Sequence, residues 1–571
     1  MSQTALPPPS LPPSPAGTTT FTETVGELVA RYLADIGVET VFGVISIHNM
    51  PILDAIATQG RIRFVPARGE AGAMNMADAY ARVSGGLGVA ITSTGTAAGN
   101  AAGAQAEALT AGSRVLHITT QIDLPFADRD RAPIHDVPRQ PDMLKAVSKA
   151  YFRIWDGHAA LGMLQAAAGA ALTPPTGPVS LEIPVDVQRQ KAGGASPQAF
   201  RAPMINRPQP DPVLLDRVAE LLRAAKRPML WLGGGARGAE AEATALAARG
   251  IAVVTSTNGR AVVPESSPHS LGAFNMGPEA QAIYARSDLM IVIGSRLRGN
   301  ETRNNAMRLP RPLVQIDADA AQGGRNYAAD LLLQADAGAA LRGLLERLPE
   351  QLDTDRIFLH DVTIARAQAE GALRANLGPY QVVADALLER VPAGRHPWVR
   401  DVTISNSTFG NRYVQIAAPN LGVHALGGGI GQGIAMAIGA SLAAAEKTVA
   451  LMGDGGAQLG IAELITAVEE KAPIAFVLMN DKAYGVIRNI QDAQYGGRHH
   501  YSALRTPDFA LLCAAIGMPH TRIADVDDFA TALDAALAEE GPRVLEIDMT
   551  VIGPFANAFA GPPAGAAGGA R

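Results

Sequence analysis

Short apolar runs alternate with helix-like patterns along the chain, and this alternation restricts the fold more than any other feature of the sequence. In "TETVGELVARYLADIG", Thr24 and Glu27 can form a capping box, apolar residues share one face, and Gly37 suits the end of a helix. Strand-like runs such as "TVFGV", "LGVAITS" and "SRVLHITT" follow. Uninterrupted apolar strands between helices are typical of parallel sheets covered on both faces. The sequence therefore predicts an α/β protein made of doubly wound parallel-sheet domains.

The length of 571 residues is too great for one core and predicts several domains. We expect three of them, at residues 21–190, 205–350 and 375–552, with the proline-bearing "FRAPMINRPQPDP" as a linker between the first two. Residues 1–20 have no charged or apolar leader, which favours a disordered tail over a signal peptide. Residues 553–571, rich in Gly, Ala and Pro, read as a second tail. The first and third units share a similar rhythm of strands and helices.

The composition favours small molecules as partners. A net charge of −6, with 18% charged residues and no long basic run, argues against nucleic acid or an anionic membrane as the main partner. No run reaches the roughly eighteen apolar residues of a membrane span. The single cysteine, Cys513, excludes an internal disulfide or a cysteine metal cluster, and its apolar neighbours indicate a core residue. This usage fits a reducing cytosol, so we expect a cytoplasmic protein.

Two acids follow neighbouring apolar runs in the last third of the chain. "TVALM" leads into "GDGG", a helical stripe follows, and "PIAFVLM" then leads into Asn480 and Asp481. Parallel strands end at one edge of a sheet, so Asp454 and Asp481 should converge there. Oxygen ligands without nearby Cys or His favour magnesium or calcium, and magnesium keeps places for phosphate oxygens. Glycine turns let backbone amides approach an anion. The pattern predicts a magnesium-bridged diphosphate site, although "GDG" alone would more often be an ordinary helix cap.

With "GDG" and "ND" at this spacing, the sequence resembles the thiamine diphosphate enzymes that include pyruvate decarboxylases, benzoylformate decarboxylase and acetolactate synthases. The resemblance covers residues 21–553 in the family's order of pyrimidine-binding, middle and diphosphate-binding domains. It implies that Asp454, Asp481 and the carbonyl of Ala483 hold Mg²⁺ on the diphosphate. Further cofactor-binding positions are implied at Thr403, Ser405, Ile430, Gly453, Gly455, Gly456 and Tyr484. The family usually has Asn-Asn where this chain has Asn480-Asp481, a departure expected to change the charge of the site more than its identity.

Thiamine chemistry needs a buried acid that shares a proton with the aminopyrimidine ring nitrogen of the cofactor. Glu70 in "FVPARGEAGAMNMADAYAR" follows a strand among small residues, and the activating glutamate of the family occupies the matching place. By itself a Glu at such a junction is more often a cap or a surface acid. In the family this residue reaches the cofactor of a partner subunit, so the resemblance implies a homodimer or homotetramer with sites at the interface.

Ile430 lies in the glycine stretch "HALGGGIGQGIAMAIGAS", where the family places the apolar wedge that bends the cofactor. Decarboxylases tend to have Ile or Leu there and acetolactate synthases Met. The spacing alone is equally compatible with a side chain that only packs the turn.

Three histidines lie in segments expected near the active site. His48 and His135 lie in loops at the carboxyl ends of strands and are predicted to meet the substrate, with His48 ranked first. His48 would donate a hydrogen bond or transfer protons after the substrate has added. His117 lies within a strand and is more consistent with a hydrogen-bonded core histidine.

The resulting hypothesis is a thiamine diphosphate- and Mg²⁺-dependent lyase or transferase that decarboxylates a 2-oxo acid, or attacks a related ketone. Loss of carbon dioxide would give an enamine, which is protonated to an aldehyde or joined to an acyl acceptor in carboligation. The alternatives are acetolactate synthase-like acyl transfer, hydrolytic carbon–carbon cleavage of a diketone, and a catalytically inactive cofactor-binding subunit.

Several family-specific residues are absent. The chain lacks the His-His pair of pyruvate decarboxylase, and Ile487 stands near the position of that enzyme's acid. "YGVIRNIQ" lacks the Trp of acetolactate synthase. "GSRLRGNETRNN" departs from the Asp-Arg pattern that accompanies flavin, which makes FAD doubtful.

Overall fold

Three parallel β-sheets, of six, five and six strands, form the framework of the protein in a computed structural model that describes residues 22–193 and 198–559. Every strand pair in these sheets is parallel, which confirms the predicted α/β fold class. The predicted tail at residues 1–20 and residues 560–571 of the second tail lie outside the described residues.

The first domain contains the sheet β2-β1-β3-β4-β6-β5. Its capping box at Thr24 and Glu27 is formed as predicted, and Gly37, with φ +91°, follows the end of that helix. Its strands are β1 (Thr40–Gly43), β2 (Arg63–Pro66), β3 (Gly88–Thr92), β4 (Val115–Gln121), β5 (Ala150–Arg153) and β6 (Val179–Pro184). Its helices are α1 (Val25–Asp35), α2 (Met50–Gln59), α3 (Glu70–Ser84), α4 (Thr96–Ala111), α5 (Gln140–Ala146), α6 (Ala160–Leu172) and α7 (Val185–Gln188).

The middle domain contains the sheet β11-β10-β9-β7-β8. It follows an irregular segment at residues 201–211, where the sequence predicts a linker. Its elements are α8 (Pro212–Ala224), β7 (Pro228–Leu232), α9 (Glu240–Ala247), β8 (Ala252–Thr255), α10 (Pro278–Tyr284), β9 (Leu289–Ile293), β10 (Leu313–Asp317), β11 (Leu331–Gln334) and α11 (Ala337–Arg347). The long helix α12 (Arg356–Ala375) leads from this domain to the next.

The third domain contains the sheet β13-β12-β14-β15-β17-β16. Numbered from its own first strand, this order is the same as that of the first domain, as the shared rhythm of the two sequences indicates. Its strands are β12 (Trp398–Arg400), β13 (Gly422–His424), β14 (Thr448–Gly453), β15 (Ile474–Asn480), β16 (His520–Ile523) and β17 (Arg543–Asp548). Its helices are α13 (Gln381–Ala393), α14 (Gly433–Ser441), α15 (Asp454–Leu459), α16 (Glu463–Glu469), α17 (Gly485–Tyr495), α18 (Phe509–Ala515), α19 (Phe529–Ala538) and α20 (Met549–Ile552).

The first and third domains share one hydrophobic core through helices α3 and α14. A Cβ atom added to Gly439 would lie 2.0 Å from the carbonyl oxygen of Met76, so the two helices meet backbone to backbone. Cys513 is fully buried in this core, as predicted. The edge that carries Glu70 is thereby fixed relative to the third domain of the same chain.

Local structure differs from the sequence-based expectation in a few places. "GDGG" is not a free turn: Gly453 ends β14 and Asp454 begins the six-residue helix α15, because an acid is favoured in the first turn of a helix. The edge strands β5 and β11 are half-exposed and carry no strong alternation. Residues 553–559 pack on the third domain, where the ring of Phe555 lies 4.6 Å from that of Tyr380. No helix in the described part of the chain is long and apolar enough to cross a membrane.

Candidate functional site

Two carboxylates lie together at the carboxyl edge of the third sheet. Strands β14 and β15 pair in parallel and end at Gly453 and Asn480, so Asp454 and Asp481 follow at the same edge. Asp454 is 1% exposed, and its Oδ2 atom has no hydrogen-bond partner within residues 22–193 and 198–559. Burial, followed by the charge of Asp481, raises the pKa of Asp454 to about 7. The pair is therefore electrostatically unfavourable without a cation.

This donor set fits a hard cation with oxygen ligands. Two carboxylates leave coordination places for phosphate oxygens, which is the arrangement Mg²⁺ prefers. No group of three or more His, Cys, Asp or Glu side chains in the described ranges is arranged to hold a metal ion by itself. Ala483 is buried, and its amide donates to Asp481 Oδ1 at 3.1 Å, which fixes this turn beside the carboxylates.

Arg488 offsets the additional charge of Asp481. Its Nη2 atom lies 3.3 Å from Asp481 Oδ2, and burial raises the pKa of Asp481 while Arg488 opposes that change. The neighbouring Asn480 points elsewhere, donating to Glu546 Oε1 at 2.7 Å. Arg488 is not predicted by the sequence analysis. The feature that could have indicated it is its position seven residues after Asp481, an acid at a position where the enzymes that this chain resembles usually have Asn.

Glycines allow three loops to meet beside the acid pair. A Cβ atom added to Gly453 would lie 2.9 Å from Thr403 Oγ1, and one added to Gly455 would lie 2.7 Å from the ring of Tyr484. Gly456 lies against the carboxylate of Asp401 in the same way. The structure thus brings the predicted residues Thr403, Gly453, Gly455, Gly456 and Tyr484 to one place.

Asp401 ties the predicted wedge loop to this region. Its carboxylate accepts hydrogen bonds from the backbone amides of Gly431 at 3.0 Å and Gly433 at 3.3 Å. Ile430 immediately precedes Gly431 in this loop and is 40% exposed. Ser405 is buried, and its hydroxyl has no partner. Sequence reasoning did not single out Asp401, because the backbone donors of a distant loop leave no signature in the spacing of side chains.

Glu70 is the first residue of α3, and its side chain is only partly buried. Asn100 of α4 donates to its Oε2 atom at 3.1 Å. The single chain therefore does not supply the enclosed apolar pocket that the sequence predicts for this acid. No hydrogen bond or ion pair joins Glu70 to the Asp454–Asp481 pair within the described residues.

His48 and His135 lie side by side at the carboxyl edge of the first sheet. Their ring centroids are 5.1 Å apart, and the Nδ1 atoms of both are buried without a hydrogen-bond partner in the described part of the chain. Burial, and then the neighbouring His135, lower the pKa of His48. Gly95, at the start of α4, approaches the carbonyl of His135 so closely that a Cβ atom would lie 2.2 Å from it. Helix α4 thus begins beside His135, at Gly95, and contacts Glu70 through Asn100, while His48 lies next to His135.

His117 is a core residue, as predicted. It is fully buried in β4, with Nε2 2.8 Å from Thr92 Oγ1 and Nδ1 2.8 Å from Gln105 Oε1. Burial lowers its pKa to about 3, so it stays neutral. Both ring nitrogens are occupied, which leaves none for a substrate.

A cavity of about 810 Å³ lies where all three domains meet. The segment "GSRLRGNETRNN" contributes to its wall, and its lining includes none of the predicted site residues. The wall is rich in cationic side chains, namely Arg82, Arg114, Lys149, Arg207, Arg237, Arg296 and Arg298. Size alone does not make this cavity the reaction centre, because the paired carboxylates and histidines lie elsewhere.

Comparisons with known proteins agree with this geometry. Residues 23–143 match the N-terminal TPP binding domain of thiamine pyrophosphate enzymes, residues 215–344 the central domain, and residues 404–547 the C-terminal TPP binding domain. The chain is 31% identical to the probable 2-ketoarginine decarboxylase AruI of Pseudomonas aeruginosa, over 92% of this chain and 94% of that protein. It is 28% identical to the acetolactate synthase isozyme 3 large subunit of Escherichia coli, over 92% and 94% of the two chains. With the chloroplastic acetolactate synthase of Arabidopsis thaliana the identity is 26%, over 91% and 80%.

The three matched domains follow one another in the order of the three parallel sheets, and the convergent acids and glycines lie in the third of them. The chain therefore belongs to the thiamine pyrophosphate enzyme family.

Proposed function

We propose that this protein is a thiamine diphosphate- and Mg²⁺-dependent enzyme that decarboxylates a 2-oxo acid, with carboligation as a second outcome. The observation that carries the proposal is the pair of the buried Asp454 and the partly buried Asp481, which lies at the carboxyl edge of a parallel sheet and is suited to a bridging cation. A packing role alone would not require two adjacent carboxylates there, because apolar side chains would fill the same space at lower cost.

Different residues of the third domain would bind the metal ion and the diphosphate of the cofactor. Asp454, Asp481 and the carbonyl of Ala483 would bind Mg²⁺, while Thr403 and the glycine amides would face the diphosphate. The unpartnered hydroxyl of Ser405 is available to the same group. When bound, thiamine diphosphate supplies a nucleophilic carbon that adds to the carbonyl of the substrate and accepts the electrons released as carbon dioxide leaves.

The exposed apolar surface supports assembly into a homodimer or homotetramer. The loops around His48 and His135 expose large apolar side chains, and so do the segments beside the acid pair in the third domain. These residues are Ile45, Ile47, Met50, Phe126 and Ile134 in the first domain, and Ile430, Leu459, Ile465 and Ile487 in the third. In such an assembly Glu70 of one chain would meet the aminopyrimidine of cofactor held by a second copy, and the interface would provide the apolar surroundings absent from the single chain.

His48 and His135 would serve the steps that follow substrate addition. The lowered pKa of His48 keeps its imidazole neutral near pH 7, and a neutral imidazole can both accept and donate a proton. Its buried Nδ1 atom has no hydrogen-bond partner among the described residues, and we propose that a substrate group would pair with it. A pair of histidines able to deliver a proton favours release of an aldehyde.

Carboligation is the second candidate, since two of the relatives described above are acetolactate synthases. It uses the same cofactor and differs only in the group that captures the product of decarboxylation. We assign no role to FAD, because "GSRLRGNETRNN" departs from the Asp-Arg pattern that accompanies flavin.

A panel of 2-oxo acids tests the proposal. The panel should include pyruvate, branched and aromatic 2-oxo acids, and cationic ones such as 2-ketoarginine, each with and without an aldehyde acceptor. Carbon dioxide, free aldehyde and ligation product are measured together, with and without Mg²⁺ and thiamine diphosphate. Cofactor-dependent carbon dioxide from at least one acid is expected; release from none of them would refute the proposed reaction.

A further inference from the structure

Glu463 is a buried carboxylate that connects the third domain to the strand-to-helix junction of Glu70. It is the first residue of α16 and is 5% exposed. Its Oε1 atom accepts a hydrogen bond from the backbone amide of Arg68 at 3.0 Å, and the amide of Gly69 also donates to its carboxylate. Thr466 donates its hydroxyl to Oε2 at 2.7 Å. The buried carboxylate of Glu463 thus accepts hydrogen bonds from the backbone amides of the two residues that immediately precede Glu70.

This contact places a carboxylate at the start of a helix that has no side-chain cap. Helix α3 begins at Glu70, and its N-cap residue, Gly69, has no side chain to bind the free amides of the first turn. A Cβ atom added to Gly72 would lie 2.0 Å from Glu463 Oε1, so the carboxylate lies directly against that first turn. A negative charge at a helix N-terminus is stabilising, which fits the position of Glu463.

Two surface ion pairs also join the first and third domains here but cannot replace the hydrogen bonds of Glu463. Arg68 pairs with Glu469, and Arg63 pairs with Glu470. The side chain of Glu469 is 50% exposed, and exposed pairs of this kind contribute little to stability. Glu463 is the member of this acidic group that holds backbone amides in a buried setting, and it therefore determines where the junction lies.

The same segment of the third domain leads from the metal loop to this contact. Glu463 follows Asp454 by nine residues, through α15 and a short connection. Neither hydrogen bonds nor ion pairs of Glu463 within the described residues reach Asp454 or Asp481. Its contacts point to the first domain, away from the acids that would hold Mg²⁺.

We propose that Glu463 is a positioning residue that fixes the backbone of residues 68–70, so that the Glu70 carboxyl group meets the aminopyrimidine nitrogen of the cofactor. This inference rests on the proposed function. A hydrogen bond that transfers a proton needs heavy atoms within about 2.6–3.2 Å, and a displacement of about 1 Å costs as much as 100-fold in rate. Loss of the clamp should therefore impair activation of the cofactor without impairing its binding to the third domain.

The first test needs no cofactor. Backbone amide hydrogen exchange is measured on the apoprotein for the peptide that spans residues 66–74, in the wild type, Glu463→Ala, Glu463→Gln and the surface control Glu469→Gln. Glutamine keeps an acceptor for the amides of Arg68 and Gly69, whereas alanine keeps none. We expect faster exchange in Glu463→Ala only. Wild-type protection in Glu463→Ala would overturn the proposal.

The second test measures exchange of the thiazolium proton in the presence of saturating thiamine diphosphate and Mg²⁺. We expect a decrease of about 10-fold to 100-fold in Glu463→Ala with cofactor affinity unchanged, and recovery in Glu463→Gln to within about threefold of the wild type. Exchange at the wild-type rate in Glu463→Ala would overturn the proposal, as would an equal loss in the Glu469→Gln control.

If Glu463→Ala does not fold, Gly72→Ala serves instead, because its methyl group displaces the carboxylate from the other side of the contact. It should slow thiazolium exchange in the same way, and a wild-type rate in this variant would count against the clamp. A wild-type protein that binds no thiamine diphosphate would refute the proposed function, whereas the amide measurement on the apoprotein still decides whether Glu463 holds the junction.

Discussion

The ring centroids of His48 and His135 lie 5.1 Å apart, and the buried Nδ1 atom of each has no hydrogen-bond partner among the residues that the structure describes. Two residues from distant loops thus form one polar pair, and the charges of Asp123 and Arg189 also act on His48. His48 is the more enclosed of the two, since its ring is almost completely buried. The pair differs from His117, whose two ring nitrogens are both occupied within the core.

Replacement of His48 should affect the steps after substrate addition. We expect His48→Ala to leave exchange of the thiazolium proton nearly intact while turnover falls by about 100-fold or more, as for a lost general acid-base group. The ratio of aldehyde to ligation product should also change. Both products are measured in one preparation, with the exposed His360→Ala as control. A lower melting temperature with an unchanged product ratio would assign His48 a structural role instead.

The lowered pKa of His48 also predicts a dependence of stability on pH. In the unfolded chain His48 takes up a proton near its ordinary pKa of 6.5, whereas burial and the nearby His135 oppose protonation in the folded protein. The contribution to stability is therefore present above pH 6.5 and is lost as pH falls below that value. Between pH 7.5 and pH 5.5 the melting temperature of the wild type should fall more than that of His48→Gln. Parallel curves for the two proteins would contradict this prediction.

Cofactor binding should require both a divalent ion and Asp454. In Asp454→Ala the diphosphate would face Asp481 without a bridged cation, so binding of thiamine diphosphate should weaken by more than about 100-fold. Apoprotein is titrated with the cofactor in Mg²⁺ and in EDTA, with the surface variant Asp492→Ala as control. Equal affinity in EDTA and in Mg²⁺ would show that the acid pair does not bind a metal.

Substitution of Glu70 separates activation of the cofactor from its binding. Glu70→Gln keeps the size of the side chain and its contact with Asn100 but cannot share a proton with the ring nitrogen. We expect cofactor affinity near that of the wild type and thiazolium proton exchange slower by about 100-fold or more. Exchange at the wild-type rate would show that another acid activates the cofactor.

Much of the framework follows directly from the sequence. Apolar runs such as "TVALM" and "PIAFVLM" specify buried strands, and two acids placed after neighbouring parallel strands must meet at one edge. Residues whose effect depends on backbone geometry were not predictable in this way. Asp401 and Glu463 both accept hydrogen bonds from backbone amides of segments distant in the sequence, and the spacing of side chains does not indicate such contacts. The pocket around Glu70 was also beyond prediction from one chain, because this side chain remains partly exposed there.

Substitution of Asp481 is the most direct test of the metal site, because the charge of Asp481 is offset by Arg488 in the helix α17 that follows it. Arg488 lies 3.3 Å from it and is partly exposed, so the pair contributes less than a buried one would. Asp481→Asn keeps an oxygen ligand but removes one negative charge, and we expect the affinity for Mg²⁺ to fall by about tenfold with the cofactor still bound at saturating metal. Arg488→Gln leaves both carboxylates in place and should change the affinity by less than about fivefold. Isothermal titration of the two variants and the double variant with Mg²⁺, at a fixed concentration of thiamine diphosphate, provides the measurement. An Asp481→Asn variant with wild-type metal affinity would show that the negative charge at position 481 does not contribute to metal binding, because the amide oxygen of Asn can still coordinate the ion.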